Sequence, residues 1–340
     1  MSGSRSRIRV LVADDSEVFR EALAAVIDLD PGLETVATVG DGRAAAELTS
    51  ALRPDVVTMD LGMPVDGFTG IARIMAKTPT PILVLTANHD AAAAFRALSL
   101  GALDVLDKPD PGGDLDAYGV RLRAQLRLLA SVPVIRHPRG LPPGSPSPFS
   151  APRPDVVVIG ASLGGPRALA TVLGAIPASF PVPILVVQHI ADGFTSGLAS
   201  WLGLETGLDV REAREGDALR AGRVLLAPSG RHLVLSPGVA HLSDAPPAEL
   251  FRPSVTTLFT SAARAYRDRA CGVVLTGMGR DGAVGVRALK SAGACVLAQD
   301  EATSAIFGMP RAALEAGADR LVALEEIAPL LLGMVLGMVR

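Results

Sequence analysis

Short apolar runs alternate with amphipathic ones along this chain, regularly enough to place secondary structure. Ile8–Ala13, Leu33–Thr38, Val56–Met59, Ile82–Leu85 and Leu103–Leu106 read as strands. Glu17–Leu29, Arg43–Leu52, Phe68–Ala76 and Ala91–Leu100 carry apolar residues at helical spacing, and a further helix is predicted near Leu115–Leu129. Near-continuous apolar strands alternating with helices predict a parallel sheet covered on both faces. The pattern resumes with Val156–Ile159, Ile184–Val187, Val273–Leu275 and Val296–Leu297. Within this second stretch, Arg223–Leu226 and His232–Leu235, separated by A-P-S-G-R, predict an inserted antiparallel hairpin. The expected fold class is α/β, with two doubly wound parallel-sheet domains.

Between the two stretches lies Ser131–Pro154, with prolines at 133, 138, 142, 143, 146, 148, 152 and 154. Proline at this density removes backbone donors and stops helix and strand propagation, so a semi-extended linker is predicted. The expected domains are residues 1–130 and 154–340, joined by 131–153. A length of 340 residues accords with two hydrophobic cores.

Composition adds exclusions. Apolar residues make up 49% and charged residues 20%, as in an ordinary soluble protein. A formal net charge of -3 argues against nucleic acid as the main partner. The two cysteines, Cys271 and Cys295, lie in apolar runs without metal-ligand spacing and read as buried thiols in a reducing compartment. Met1–Arg9 is polar, without the apolar core of a signal peptide, and Ala328–Val339 is too short to span a bilayer. A cytoplasmic monomer without membrane insertion is expected.

Several ionisable residues fall at predicted strand ends, where ligands collect in parallel α/β sheets. Asp14 and Asp15 follow the first strand, Asp60 follows the third, Thr86 ends the fourth and Lys108 follows the fifth. Three acids at one edge repel each other unless a cation is present, and all-oxygen ligands suit Mg²⁺. A lysine and a hydroxyl beside them would satisfy the oxygens of a phosphoryl group. Singly, each acid reads better as a helix N-cap or a loop residue.

Together, V-A-D-D-S at 12–16, M-D-L-G-M-P at 59–64, L-T-A at 85–87 and D-K-P at 107–109 resemble the receiver domain of two-component response regulators. The resemblance implies a flavodoxin-like fold and a phosphoryl transfer from a histidine kinase to Asp60. It implies Mg²⁺ held by Asp15, Asp60 and the Gly62 carbonyl, with Asp14 assisting through water, and phosphoryl oxygens bound by Thr86 and Lys108. Two positions depart from the family pattern. The loop M-P-V-D-G is one residue shorter than M-P-x-x-D-G, and Val105 stands where receivers often carry an aromatic residue.

In the second stretch, G-A-S-L-G-G-P at 160–166 follows a strand and precedes a helical run. A serine in such a turn suits a nucleophile whose product is an oxyanion, and the same loop also suits phosphate binding. No Walker lysine follows, and the glycine spacing is not G-x-G-x-x-G. His189 ends the next apolar strand and Asp281 lies in T-G-M-G-R-D-G at 276–282, so serine, histidine and aspartate all arrive at strand ends. A histidine can take the serine proton while a carboxylate orients the imidazole. Of the five histidines, His232 is the rival base, because it follows a glycine-containing turn. Asp281 could alternatively cap a helix Ala283–Leu289, and Arg252 and Ser254 fit either a helix-start cap before Val255–Tyr266 or a substrate contact.

The order and the motifs resemble the chemotaxis response-regulator methylesterases of the CheB family. The matching stretches include G-A-S-L-G-G, V-Q-H at 187–189, A-P-S-G-R-H-L at 227–233, F-R-P-S-V at 251–255, T-G-M-G-R-D-G, and A-Q-D-E-A-T-S-A-I-F-G-M-P at 298–310. The resemblance implies hydrolysis of γ-glutamyl methyl esters on chemoreceptor helices, releasing methanol, with receptor-glutamine deamidation as a related reaction of some members. It assigns Ser162 as nucleophile, His189 as base and Asp281 as orienting acid, with oxyanion donors at the Leu163 and Met278 backbones and no cofactor for the esterase. It further implies that the unmodified receiver hinders the esterase. Leu163 replaces a usual threonine and Thr256 a usual aspartate. A binding protein without turnover has no need of the Ser162, His189 and Asp281 set. A DNA-binding regulator lacks support, since no helix-turn-helix pattern or basic face is present.

Overall fold

The computed structural model describes residues 7–63, 67–87, 91–109, 114–132, 152–246 and 251–337. The chain divides into two compact units, Met1–Arg139 and Gly140–Arg340. Most of the predicted linker, residues 133–151, lies outside the described residues, as do His89, His137 and Pro64–Asp66.

The first unit runs β1 (Ile8–Ala13), α1 (Glu17–Asp28), β2 (Leu33–Val39), α2 (Gly42–Leu52), β3 (Val56–Asp60), α3 (Gly67–Lys77), β4 (Ile82–Thr86), α4 (Ala91–Ser99), β5 (Asp104–Asp107) and α5 (Leu115–Ala130). Its strands form one parallel sheet in the order β2-β1-β3-β4-β5. Every residue of β3 and β4 is buried, as expected where helices cover both faces. Side-chain caps start α1, α2 and α5: Ser16 accepts from the Phe19 N–H, Asp41 from those of Arg43 and Ala44, and Asp114 from that of Ala117. The strand order reverses between β1 and β3, which makes their carboxyl ends the natural crevice.

The second unit continues with β6 (Val156–Ala161), α6 (Gly165–Gly174), β7 (Ile184–Gln188), α7 (Thr195–Thr206), β8 (Asp209–Glu212), β9 (Asp217–Ala218), β10 (Arg223–Leu226), β11 (His232–Ser236) and β12 (Val239–Ser243). It ends with α8 (Val255–Tyr266), β13 (Ala270–Val274), α9 (Ala283–Ser291), β14 (Cys295–Gln299), α10 (Met309–Glu315), β15 (Arg320–Val322) and α11 (Leu324–Val335). Seven parallel strands form the main sheet in the order β15-β14-β13-β6-β7-β10-β8, and a small antiparallel sheet has the order β11-β12-β9. Here too the order reverses at the first strand, so the ends of β13, β6 and β7 converge.

An inserted hairpin exists and contains the predicted strand His232–Leu235, but its partner is not Arg223–Leu226. Arg223–Leu226 pairs in parallel with β7 and β8, and the hairpin joins β11 to β12. The reason is burial on both faces: Val224, Leu225 and Leu226 are all covered, as an interior parallel strand requires. The hairpin turn is Pro237-Gly238 between the paired Ser236 and Val239, and Gly238 takes the positive φ (79°) that the turn requires. His241 lies within the hairpin, on β12.

Cys271 and Cys295 are free, buried register partners on β13 and β14. The late apolar run packs as α11, with Leu324, Ile327, Ala328, Leu331, Met334 and Val335 buried. Among the described residues, no helix is long and apolar enough to cross a membrane.

Candidate active site and carboxylate cluster

At the β1–β3 crevice of the first unit, Asp14, Asp15 and Asp60 each offer an oxygen within 4.8 Å of the others. Asp14 and Asp60 are buried, whereas Asp15 is exposed. Lys108 Nζ lies 2.6 Å from Asp14 Oδ2 and 3.0 Å from Asp60 Oδ1. Burial pulls the Lys108 ammonium down, but the Asp14 hydrogen bond and the Asp60 charge outweigh it and hold its pKa above the usual value. For Asp14 burial wins instead, raising the carboxyl despite Lys108. The Ser16 N–H donates to Asp14 Oδ1 (3.0 Å), and Arg20 donates to the carbonyls of Asp14 and Asp15, which fixes the loop.

Thr86 is buried, and among the described residues its hydroxyl makes a 3.4 Å contact to the Ala87 carbonyl. The Lys108 N–H donates to the Thr86 carbonyl (2.8 Å), so β4 and β5 deliver the hydroxyl and the ammonium side by side. Gly62 sits against the cluster, since a Cβ there would lie 3.4 Å from Asp60 Oδ2. The fold thus gathers the predicted residues of this site. Three carboxylates with one exposed edge are a donor set that fits a hard divalent cation.

In the second unit, Ser162 follows β6 and His189 follows β7. Ala161 and Gln188 are register partners, so serine and histidine occupy the next position across the strand pair. Gln188 Nε2 ties them together, donating to the carbonyls of Ser162 (2.7 Å) and His189 (2.8 Å). Close approach from the other side needs Gly277, where a Cβ would lie 2.7 Å from Ser162 Cβ. Gly160 likewise admits α8, because a Cβ there would meet Val255 Cγ1 at 2.3 Å.

Asp281 reaches over from the loop after β13. His189 Nε2 lies 2.8 Å from Asp281 Oδ2, which also accepts the Val255 N–H (2.7 Å). Oδ1 accepts from Ser254 Oγ (2.9 Å) and the Thr256 N–H (2.9 Å). The carboxylate therefore sits on the N-terminus of α8, where orphan N–H groups and the helix dipole favour an anion. Burial alone would raise its pKa. The His189 hydrogen bond and the Thr256 and Val255 N–H groups reverse that and bring it to about 2. Helix α9 starts at Gly282 without a side-chain cap, so Asp281 does not serve it.

His189 Nδ1 is buried and makes no hydrogen bond among the described residues. One face of the ring lies under Phe251, with centroids 4.3 Å apart and planes at 10°. The rival histidine, His232, is buried, and its Nδ1 accepts the Ser254 N–H (3.2 Å). Burial first, then the Arg252 charge, lowers its pKa, and its hydrogen bond with Ser254 makes it a support for the start of α8. Ser254 is the α8 cap, accepting from the Thr257 N–H, while the Arg252 side chain is exposed. Thr256 is buried, and its Oγ1 accepts the Gly282 N–H (2.9 Å), which makes it a brace for the Asp281 loop.

Leu163 and Met278 flank the serine, and neither backbone N–H has a partner among the described residues. Leu163 buries its side chain, while that of Met278 is exposed. Thr276 Oγ1 donates to the Leu163 carbonyl (3.0 Å), and Gln299 Oε1 accepts the Thr276 N–H (2.8 Å). Phe251, Gln188 and Thr276 thus shape the site without a predicted role, as does Gln299, which the resemblance places in the site wall without naming a contact. The quoted motifs contain all four, but their contacts are between segments far apart in sequence.

A family model for CheB methylesterase matches residues 157–331, and one for the response regulator receiver domain matches residues 10–118. The chain belongs to the CheB methylesterase family. It is 67% identical over 330 residues to protein-glutamate methylesterase/protein-glutamine glutaminase 2 of Anaeromyxobacter dehalogenans, covering 96% of this chain and 97% of that one. It is 45% identical over 335 residues to protein-glutamate methylesterase/protein-glutamine glutaminase 4 of Myxococcus xanthus, covering 94% and 95%. The catalytic domain of the Thermotoga maritima CheB methylesterase aligns with a TM-score of 0.52 at 37% identity, covering 54% of this chain and 99% of that domain. CheB membership makes this chain an α/β carboxyl-ester hydrolase carrying a response-regulator receiver.

Proposed function

We propose that this CheB-family chain hydrolyses γ-glutamyl methyl esters on chemoreceptor cytoplasmic helices, releasing methanol, under control of its receiver. The observation that carries the esterase reading is the His189 ring: Nε2 is on Asp281, Nδ1 is buried without a hydrogen bond among the described residues, and the β6–β7 register sets the histidine next to Ser162. Asp281 holds the tautomer with hydrogen on Nε2, which leaves the Nδ1 lone pair as the base. Ser162 Oγ attacks the ester carbonyl carbon while its proton passes to Nδ1. The resulting oxyanion takes the free N–H groups of Leu163 and Met278. His189 then returns the proton to the departing methoxide, giving methanol and an acyl-serine. Water, deprotonated by Nδ1, attacks that acyl group, and collapse frees a glutamate carboxylate and restores the serine. A primary amide is open to the same sequence with ammonia leaving. The paired activities in the names of the relatives support glutamine deamidation as a second reaction.

In the receiver, Asp60 accepts a phosphoryl group from a histidine kinase. Asp15, Asp60 and the Gly62 carbonyl would hold Mg²⁺, with Asp14 acting through water, and Thr86 and Lys108 would bind the phosphoryl oxygens. The cation would supply charge neutralisation on those oxygens. Residues 1–130 are assigned to the receiver, 131–153 to the linker and 154–340 to the esterase, in a cytoplasmic protein. Intact-mass measurement on a methylated receptor fragment tests the reaction. Conversion of methyl-glutamates to glutamates supports it, and an unchanged mass rejects it.

A further inference from the structure

Phe251 is itself 40% exposed, yet it lies flat on His189, whose side chain is left only 9% exposed. The imidazole therefore has one edge on Asp281, its other nitrogen buried, and one face under a phenyl ring. An aromatic face carries negative quadrupole density, so it attracts an imidazolium more than a neutral imidazole. That difference exists only once Nδ1 has taken the serine proton, and only interactions stronger in the transition state raise the rate. The same short segment supplies Ser254, whose hydroxyl donates to Asp281 (2.9 Å), so one stretch of chain steadies both the base and its acid partner.

We propose that Phe251 is a positioning residue that holds the His189 ring in plane and stabilises its protonated form through the phenyl face. The proposal rests on the assignment of His189 as the base. Among the described residues, the charged group hydrogen-bonded to the ring is Asp281, from the loop after β13. Asp192, on the loop following His189, and Arg252, next to Phe251, are exposed. All three stay in place in the variants below.

The test is the pH profile of kcat on a methylated receptor fragment, using full-length wild type, Phe251→Leu and Phe251→Trp. Leucine covers the ring without a π face, and tryptophan restores one. Phe251→Leu should lower kcat by about 3- to 30-fold. Its acid limb should move to lower pH, because a less stabilised imidazolium releases its proton more readily. Phe251→Trp should keep both the rate and the limb. Equal losses in the two variants with an unmoved limb, or no loss in either, would overturn the π-face role and leave His189 as base. Retained turnover in His189→Ala would overturn the base assignment and this proposal with it.

Discussion

Asp281 shows how a single side chain carries two duties. Its partners, His189 Nε2, Ser254 Oγ and the N–H groups of Val255 and Thr256, all present hydrogens to it. Asparagine cannot accept with its Nδ2, so Asp281→Asn leaves buried donors unsatisfied, each costing about 1–3 kcal/mol. Turnover should fall by about 10⁴ because the imidazole tautomer is no longer fixed. Unlike a simple exchange of caps, the substitution should also lower the thermal midpoint of the esterase unit. Because the folded pKa, about 2, lies below the ordinary 3.8, ionised Asp281 stabilises the fold above about pH 4. That contribution is lost as pH falls through about 2, so acid unfolding of the variant should be flatter in this window. A variant with unaltered midpoint and acid profile would contradict the four-donor account.

At the scale of elements, the strand ends were legible because apolar runs stop at Asp14, Asp60, Ser162 and His189, and glycines follow or flank the serine. What was not legible depends on pairing. Val224–Leu226 looked like half of a hairpin because A-P-S-G-R resembles a turn, and only its place between β7 and β8 shows otherwise. Short β8 and β15 escaped notice because D-V-R-E and R-L-V carry too few apolar residues for a strand pattern. The Phe251–His189 stack and the Thr276–Leu163 bond join distant segments, so no local spacing announces them. The element β5 carries its own test. Asp104 accepts from the Val105 N–H (2.9 Å) and Gln125 Nε2 (2.5 Å), and burial pushes its pKa up to about 6. A carboxyl with a raised folded pKa contributes most when protonated, so the receiver should lose stability as pH climbs from about 4 to about 6. Asp104→Asn should flatten that slope and raise the receiver's midpoint at neutral pH, read by thermal unfolding across pH. A slope that survives the substitution would exclude Asp104 as its source.

At the scale of the whole molecule, a receiver and an esterase on one chain make sense only if one governs the other. Phosphorylating Asp60 adds a doubly anionic group beside Lys108 and Thr86, and it can shift an equilibrium only by its differential stabilisation of two states. A small-molecule phosphodonor with Mg²⁺ should therefore raise the full-length esterase rate by a finite factor, and Asp60→Asn should abolish the rise while keeping basal turnover. A rise that persists in Asp60→Asn would place control elsewhere. Beneath this lies the claim that Ser162 is the nucleophile, and the most direct measurement is methanol release from a methylated receptor fragment by the full-length chain. The account predicts release by wild type, loss of roughly 10⁴–10⁶-fold in Ser162→Ala or His189→Ala, and little further loss in the double variant. Methanol released by Ser162→Ala at close to the wild-type rate would contradict it.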